Sequence, residues 1–155
     1  MTCSLSRAPQ RFVTAVVVFG LCFLATGCNS QPKVNDGDLV YIEDTAFVEA
    51  IARREKKPII IVDARPAFRY GMAHIPGAIS IPLPDAVRED KRLKDASAII
   101  VYALDWEDPI AMAMSKKLLA LGYKDVQTYR GGLREWVTKG RETDPPINAP
   151  GNDPN

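Results

Sequence analysis

The sequence predicts an α/β fold: a parallel sheet with helices on both of its faces. Two runs rich in β-branched residues, "PIIIVDA" (Pro58 to Ala64) and "SAIIVYA" (Ser97 to Ala103), have the continuous apolar character of strands buried on both sides. Strand-like and helix-like segments also alternate along the chain, the order that parallel sheets with crossover helices produce. A length of 155 residues, 46% hydrophobic and 25% charged, suits one domain with a real core.

The elements follow in order. "DLVYI" (Asp38 to Ile42) is a short strand, and "EDTAFVEAIARREKK" (Glu43 to Lys57) a helix capped by Asp44 or Thr45, with Phe47, Val48 and Ile51 on its apolar face. After the strand at Pro58 to Ala64, "RPAFRYGM" is a helical turn, "AISIP" a brief strand and "LPDAVRED" a second turn opened by Pro84 and Asp85. The strand "SAIIVYA" leads to a helix in which Asp108 is the N-cap and Pro109 the first-turn proline; Ile110, Met114, Leu118 and Leu121 recur at helical spacing. Gly122 ends that helix, "DVQTY" (Asp125 to Tyr129) is the last strand, and "GGLREWVTKG" (Gly131 to Gly140) closes the domain with Leu133, Trp136 and Val137 inward. The domain therefore spans residues 38–141. "ETDPPINAPGNDPN", residues 142–155, has four prolines and no periodicity and is expected to be a disordered tail.

Ahead of the domain, Arg7 and Arg11 precede an uncharged apolar run, Phe12 to Leu24, too short for a comfortable span of about 20 residues and suited to a secretory signal. Small residues and a cysteine follow, "LATGC", then a polar segment. This resembles a bacterial lipoprotein signal, with residues 1–27 removed, Cys28 lipidated by a fatty acid such as palmitate, and residues 28–37 a flexible linker. Ordinary cleavage near Ala25 to Gly27 and retention as a short anchor are the alternatives. The resemblance implies attachment to the membrane through Cys28, in the cell envelope, with the domain outside the cytoplasm. Cys3, Cys22 and Cys28 are the chain's only cysteines, so the domain itself holds no thiol. A net charge of +1 without a basic cluster excludes nucleic acid as an expected partner.

"VDARPAFRYGMAHIPGAISIP" (Val62 to Pro82) and "GYKDVQTYRGGLREWVTKG" (Gly122 to Gly140) resemble the signature and closing segments of rhodanese-like domains. The resemblance implies a three-layer fold on a five-stranded parallel sheet. It also implies a site at the loop after "IIVY", where active members of the sulfurtransferase superfamily place a nucleophilic cysteine whose pKa is lowered by converging backbone N–H groups and a helix N-terminus. Here that position is Ala103, and Ala98 to Tyr123 contains no cysteine. Asp105, Glu107 and Asp108 put three carboxylates where an anion-binding loop gains from positive charge.

The pocket or loop residues on this reading are Asp63, Arg65, Ala103, Leu104, Asp105, Trp106, Glu107 and Asp108, with no catalytic residue among them. Asp63 and Arg65, at the sheet's carboxyl edge, are expected to organise the loops. The three acids have the chemistry of a hard-cation site, but an N-cap at Asp108 and a solvated acidic turn explain them better, so no metal and no cofactor are expected. His74, the sole histidine, is expected to be a structural hydrogen-bonding residue, and Ser115 a helix-surface serine. Trp106 is either an interface anchor or a cover folded over the vacant pocket. The function expected is a membrane-anchored, catalytically inactive binding or scaffolding module, its partner an envelope protein or a small ligand. The alternatives are a sulfurtransferase using a cysteine outside the usual loop position, a hydrolase built on the acidic loop, and a degenerate relic.

Overall fold

The computed structural model describes residues 32–56 and 58–146. Five strands, β1 (Val40–Ile42), β2 (Ile59–Asp63), β3 (Ile79–Ser80), β4 (Ala98–Tyr102) and β5 (Val126–Tyr129), form one sheet in the order β1-β5-β4-β2-β3. Every pairing is parallel, with Ile61 beside Ile100, Val101 beside Thr128 and Ile42 beside Tyr129. Four helices, α1 (Asp44–Arg53), α2 (Ala67–Met72), α3 (Ile110–Ala120) and α4 (Gly132–Thr138), complete the three layers expected from the sequence.

Alternation along the central strands feeds two cores. On one face Val62, Ile99, Val101 and Val126 pack against Ala111, Met114 and Leu118 of α3. On the other, Ile61, Ile100, Tyr102 and Tyr129 meet Phe47 of α1 and Leu133 and Trp136 of α4. Phe47 stacks on Tyr129 at a centroid distance of 4.2 Å and meets Trp136 edge-on at 6.0 Å. Removing such a buried ring costs about 3–5 kcal/mol, so this aromatic trio is a main support of the second core.

Element boundaries differ from the sequence reading for local reasons. The first helix ends at Arg53, where Arg54 N–H bonds the Ile51 carbonyl at 3.3 Å, a one-turn i to i−3 bond, and the chain continues as a turn through Lys56. A 3-10 turn at Asp36–Asp38, closed by Asn35 and Asp38, replaces the first residue of the expected strand. Gly122, at φ +95°, does end α3: Tyr123 N–H reaches the Leu118 carbonyl at 3.1 Å and Gly122 N–H the Leu119 carbonyl at 2.9 Å, which is the Schellman arrangement. Val137, expected inward, lies 36% exposed at the rim, since Leu133 and Trp136 already fill the space against Phe47 and Tyr129.

The segment from Glu142 is not the disordered tail the composition suggested, at least as far as Pro146. The indole Nε1–H of Trp136 donates to the Glu142 carbonyl at 2.7 Å, Thr143 is buried, and His74 and Asp144 exchange two backbone hydrogen bonds as an antiparallel bridge. A buried indole N–H requires an acceptor, and the chain beyond α4 supplies it. Residues 147–155 lie outside the described residues, as do the proposed signal and Cys28. Among the described residues no helix is long and apolar enough to cross a membrane.

Candidate functional site

The register of the sheet assembles the site at its carboxyl edge. Asp63, the last residue of β2, pairs with Tyr102, the last of β4, and Ala103 follows directly. Asp63 is wholly buried and holds Arg65 through two-pronged bonds, Nε at 3.0 Å and Nη2 at 2.6 Å; Arg65 Nη2 also donates to the Ala73 carbonyl at 2.6 Å. Burial penalises the guanidinium, yet the Asp63 carboxylate outweighs that penalty and holds Arg65 above its ordinary pKa. The Tyr102 hydroxyl accepts from the Ile75 N–H at 3.0 Å, and burial, then the Asp63 charge, push its pKa far above normal. These groups tie β2, β4 and the loop before Ile75 together, the organising role expected of the pair.

Ala103 is buried, and its surroundings explain why the loop lies where it does. Leu133 N–H donates to the Ala103 carbonyl at 3.0 Å and Arg134 N–H to the Leu104 carbonyl at 2.9 Å, so the loop caps the start of α4. That approach requires Gly132: at φ +63°, a Cβ there would stand 2.6 Å from both carbonyl oxygens.

The next residues turn their carboxylates inward. Asp105 Oδ1 accepts from the N–H groups of Glu107 at 3.0 Å and Asp108 at 3.1 Å, while its Oδ2 pairs with Arg134 Nη2 at 2.9 Å. Asp108 Oδ1 accepts from Ile110 N–H at 2.9 Å, but it does so from one residue ahead of the N-cap, which is Pro109 and not Asp108 as expected, and Oδ2 accepts from Leu104 N–H at 3.2 Å. Four amides of the loop region, those of Leu104, Glu107, Asp108 and Ile110, thus already hold side-chain carboxylates.

The expected picture of an exposed acidic turn therefore needs correction. Asp105 is paired and its side chain is only 12% exposed. Arg134 pairs with Asp105, Arg130 donates to the Trp106 carbonyl, and of the three acids Glu107 alone has no hydrogen-bond or ion-pair partner for its side chain among the described residues. Among those residues no group of three or more His, Cys, Asp or Glu is arranged to hold a metal ion.

Trp106 is 48% exposed and lies under the Arg130 guanidinium, 4.9 Å from its ring centroid, while Arg130 Nη2 donates to the Trp106 carbonyl. The same guanidinium is 5.5 Å from the ring of Tyr41, which is also exposed, and Leu104 joins this surface. The sequence reading missed Tyr41, Arg130, Gly132 and Arg134. Its available signal was the strand–helix alternation, which puts the turn "YRGGLRE" at the same sheet edge as the Ala103 loop.

Two other residues resolve differently. His74 is structural as expected, its Nδ1 2.9 Å from the Tyr70 carbonyl and its ring stacked on Tyr70 at 3.7 Å. Ser115 is not on the surface: it is wholly buried and accepts a 2.7 Å hydrogen bond from Thr128. Ala111, Met114, Ser115 and Leu118 follow the i, i+3, i+4, i+7 stripe, so its position in the period outweighs its polarity.

Comparison with known proteins agrees with this architecture. The model of the rhodanese-like domain matches residues 47–139. The chain belongs to the rhodanese-like domain family. Among solved structures, a Bacillus halodurans protein is 33% identical with a TM-score of 0.58, covering 66% of this chain and 75% of that one. A rhodanese-like domain from Anabaena, 24% identical with a TM-score of 0.56 over 73% of this chain and 83% of its own, shares the fold.

Two curated relatives are larger. A tRNA uridine(34) hydroxylase of Bacillus cereus is 30% identical over 108 residues, 66% of this chain and 31% of the relative. The adenylyltransferase and sulfurtransferase UBA4 of Candida albicans is 29% identical over 92 residues, 54% of this chain and 20% of the relative. This rhodanese-like domain thus spans about a third and a fifth of their respective lengths.

Proposed function

We propose that this protein is a rhodanese-like domain without sulfurtransferase chemistry, tethered in the cell envelope through a lipidated Cys28 and acting as a binding or scaffolding module. The observation that carries the reading is the loop after Ala103. The amides of Leu104, Glu107, Asp108 and Ile110 are held by the carboxylates of Asp105 and Asp108, beside a buried methyl group where the family resemblance implies a thiolate. An anionic persulfide or thiosulfate reaching these four amides would have to displace both carboxylates, and Asp105 from Arg134 as well, and would find no sulfur nucleophile in the domain. The exposed face of the loop offers Trp106, Arg130 and Tyr41, residue types that dominate binding energy when a partner buries them. Docking of another envelope protein there fits this surface. No cofactor is needed.

The tests are direct. Full-length protein assayed for thiosulfate-to-cyanide sulfur transfer shows no turnover above background, and Ala103→Cys restores little because Asp105 and Asp108 still occupy the amides. Robust wild-type turnover abolished by Cys28→Ser would overturn the inactive reading in favour of the alternative, a sulfurtransferase using a cysteine outside the loop. Labelling with radioactive palmitate is lost in Cys28→Ser; label retained by that variant removes the anchor from the proposal. Capture of an envelope protein that survives Trp106→Ala and Arg130→Ala would exclude this surface as the docking site.

A further inference from the structure

A groove opens at the opposite, amino-terminal edge of the sheet, where Ile99 begins to rise through β4 and Asp125 enters β5. Ile99 and Ala103 are four residues apart on one strand, so groove and loop are separated by about 13 Å along the strand. The groove's volume is about 640 Å³, within the range of about 300–1,000 Å³ typical of small-molecule sites.

Its floor is aliphatic: the partly buried Ala96 and Leu121 line it together with Leu93 and Ile99, which are themselves buried in the core beneath α3. Its rim is cationic. Arg88, Lys91, Lys94 and Lys124 line it, and none forms an ion pair with a described carboxylate. Of the acids on the same rim, Asp90 is already held by Arg92 at 2.6 Å, which leaves Glu89 and Asp125 against four cations.

The walls are preformed. The Tyr123 hydroxyl donates to the Val87 carbonyl at 2.9 Å and accepts from Asp90 N–H at 2.7 Å, fastening the segment before Asp90 to the connection after α3. Glu89 and Asp125, at φ +59° and +50°, are the only non-glycine residues in left-handed backbone among the described residues, and both line this groove. Such backbone is strained and collects where a binding surface is held in shape.

We propose that this groove binds an anionic amphiphile, the acyl chain lying on the aliphatic floor and a carboxylate head meeting the lysine rim. An aliphatic floor recognises a chain and not a hydrophilic anion, and an unpaired cationic rim fixes the charge of the head. The site is separate from the Trp106 surface and does not depend on what that surface does.

Titration of the full-length protein with cis-parinaric acid gives saturable fluorescence, displaced by oleate but neither by dodecyltrimethylammonium nor by inorganic phosphate. The triple variant K91E/K94E/K124E weakens binding at least about tenfold, three exposed charge contacts of somewhat under 1 kcal/mol each. K91R/K94R/K124R, which keeps the charge, binds as wild type. Absence of saturable binding, equal displacement by the cationic detergent, or equal weakening in both triple variants overturns the proposal. So does association with vesicles of phosphatidylcholine and phosphatidylglycerol unaccompanied by binding of the monomeric acid, which would reduce the rim to a surface-charge effect.

Discussion

Replacing Gly132 by alanine tests whether the Ala103 loop and α4 are one mechanical unit. Two costs apply. Left-handed backbone at φ +63° penalises any residue with a Cβ by about 1–2 kcal/mol. The new Cβ would also stand 2.6 Å from the carbonyl oxygens of Ala103 and Leu104 and 2.7 Å from the Leu104 carbonyl carbon, all of them backbone atoms that no side-chain rotation can clear. The loop must withdraw, and the bonds from Leu133 N–H and Arg134 N–H lengthen or break, each worth about 1 kcal/mol.

Gly140 supplies the internal control. It lies at φ +75° with nothing within 4 Å of the corresponding position, so Gly140→Ala carries the backbone cost without the clash. Any gain from stiffening the unfolded chain is common to both variants and cancels in the comparison. Gly132→Ala should therefore be less stable than Gly140→Ala by about 2 kcal/mol, roughly 1 M in urea midpoint for a slope of about 2 kcal/mol/M. Equilibrium urea unfolding, followed by circular dichroism and by tryptophan fluorescence, reads the difference. Midpoints within about 0.2 M of each other would refute the reasoning, because the loop could then leave α4 at no cost.

Ser115→Ala leaves the buried Thr128 hydroxyl without its acceptor and should destabilise by about 1–3 kcal/mol, while adding Thr128→Val recovers part of the loss. A double variant whose loss equals the sum of the two single losses would show that the hydroxyls do not act as a pair. Asp44 accepts from both terminal nitrogens of Arg141 and from the Tyr129 hydroxyl, and the Arg141 bonds hold its carboxyl below the ordinary 3.8. A depressed native value stabilises the fold at pH above the unfolded value and loses that contribution as pH falls through the native one. Asp44→Asn should thus cost about 2 kcal/mol at pH 7, with the gap to wild type closing below pH of about 4; a gap that stays constant down to pH 3 assigns the loss to packing instead of charge.

What could be read from the sequence was whatever one segment determines for itself. "PIIIVDA" and "SAIIVYA" are central strands because their residues are apolar on both faces, and no distant contact is needed to know it. The Asp63–Arg65 pair closes over two residues, the Asp108 bond to the first amide of α3 also over two, and the Gly122 terminus within one turn. The features missed depend on partners far along the chain. Ser115 looked like surface because it is polar, although its helical phase places it opposite Thr128 on β5. Glu142 to Pro146 looked like a tail because prolines dominate it, whereas a buried Trp136 N–H and the free backbone edge at His74 recruit it.

The acidic loop shows how a correct local inventory leads to the wrong electrostatics. Three carboxylates in four residues imply a negative surface only if each faces water, and here Asp105 and Asp108 face amides while Arg134 neutralises one of them. Binding potential depends on charge and hydrogen-bonding capacity still unpaired after folding, not on the charge written in the sequence. By that measure the loop's potential is aromatic and surface-lying, at Trp106 and Tyr41 around Arg130. A gathering of unpaired charge of one sign sits at the other end of the sheet, where the overall net charge of +1 gave no hint of four cations lining one groove. A rhodanese-like domain need not carry all of its ligand chemistry at the loop after β4.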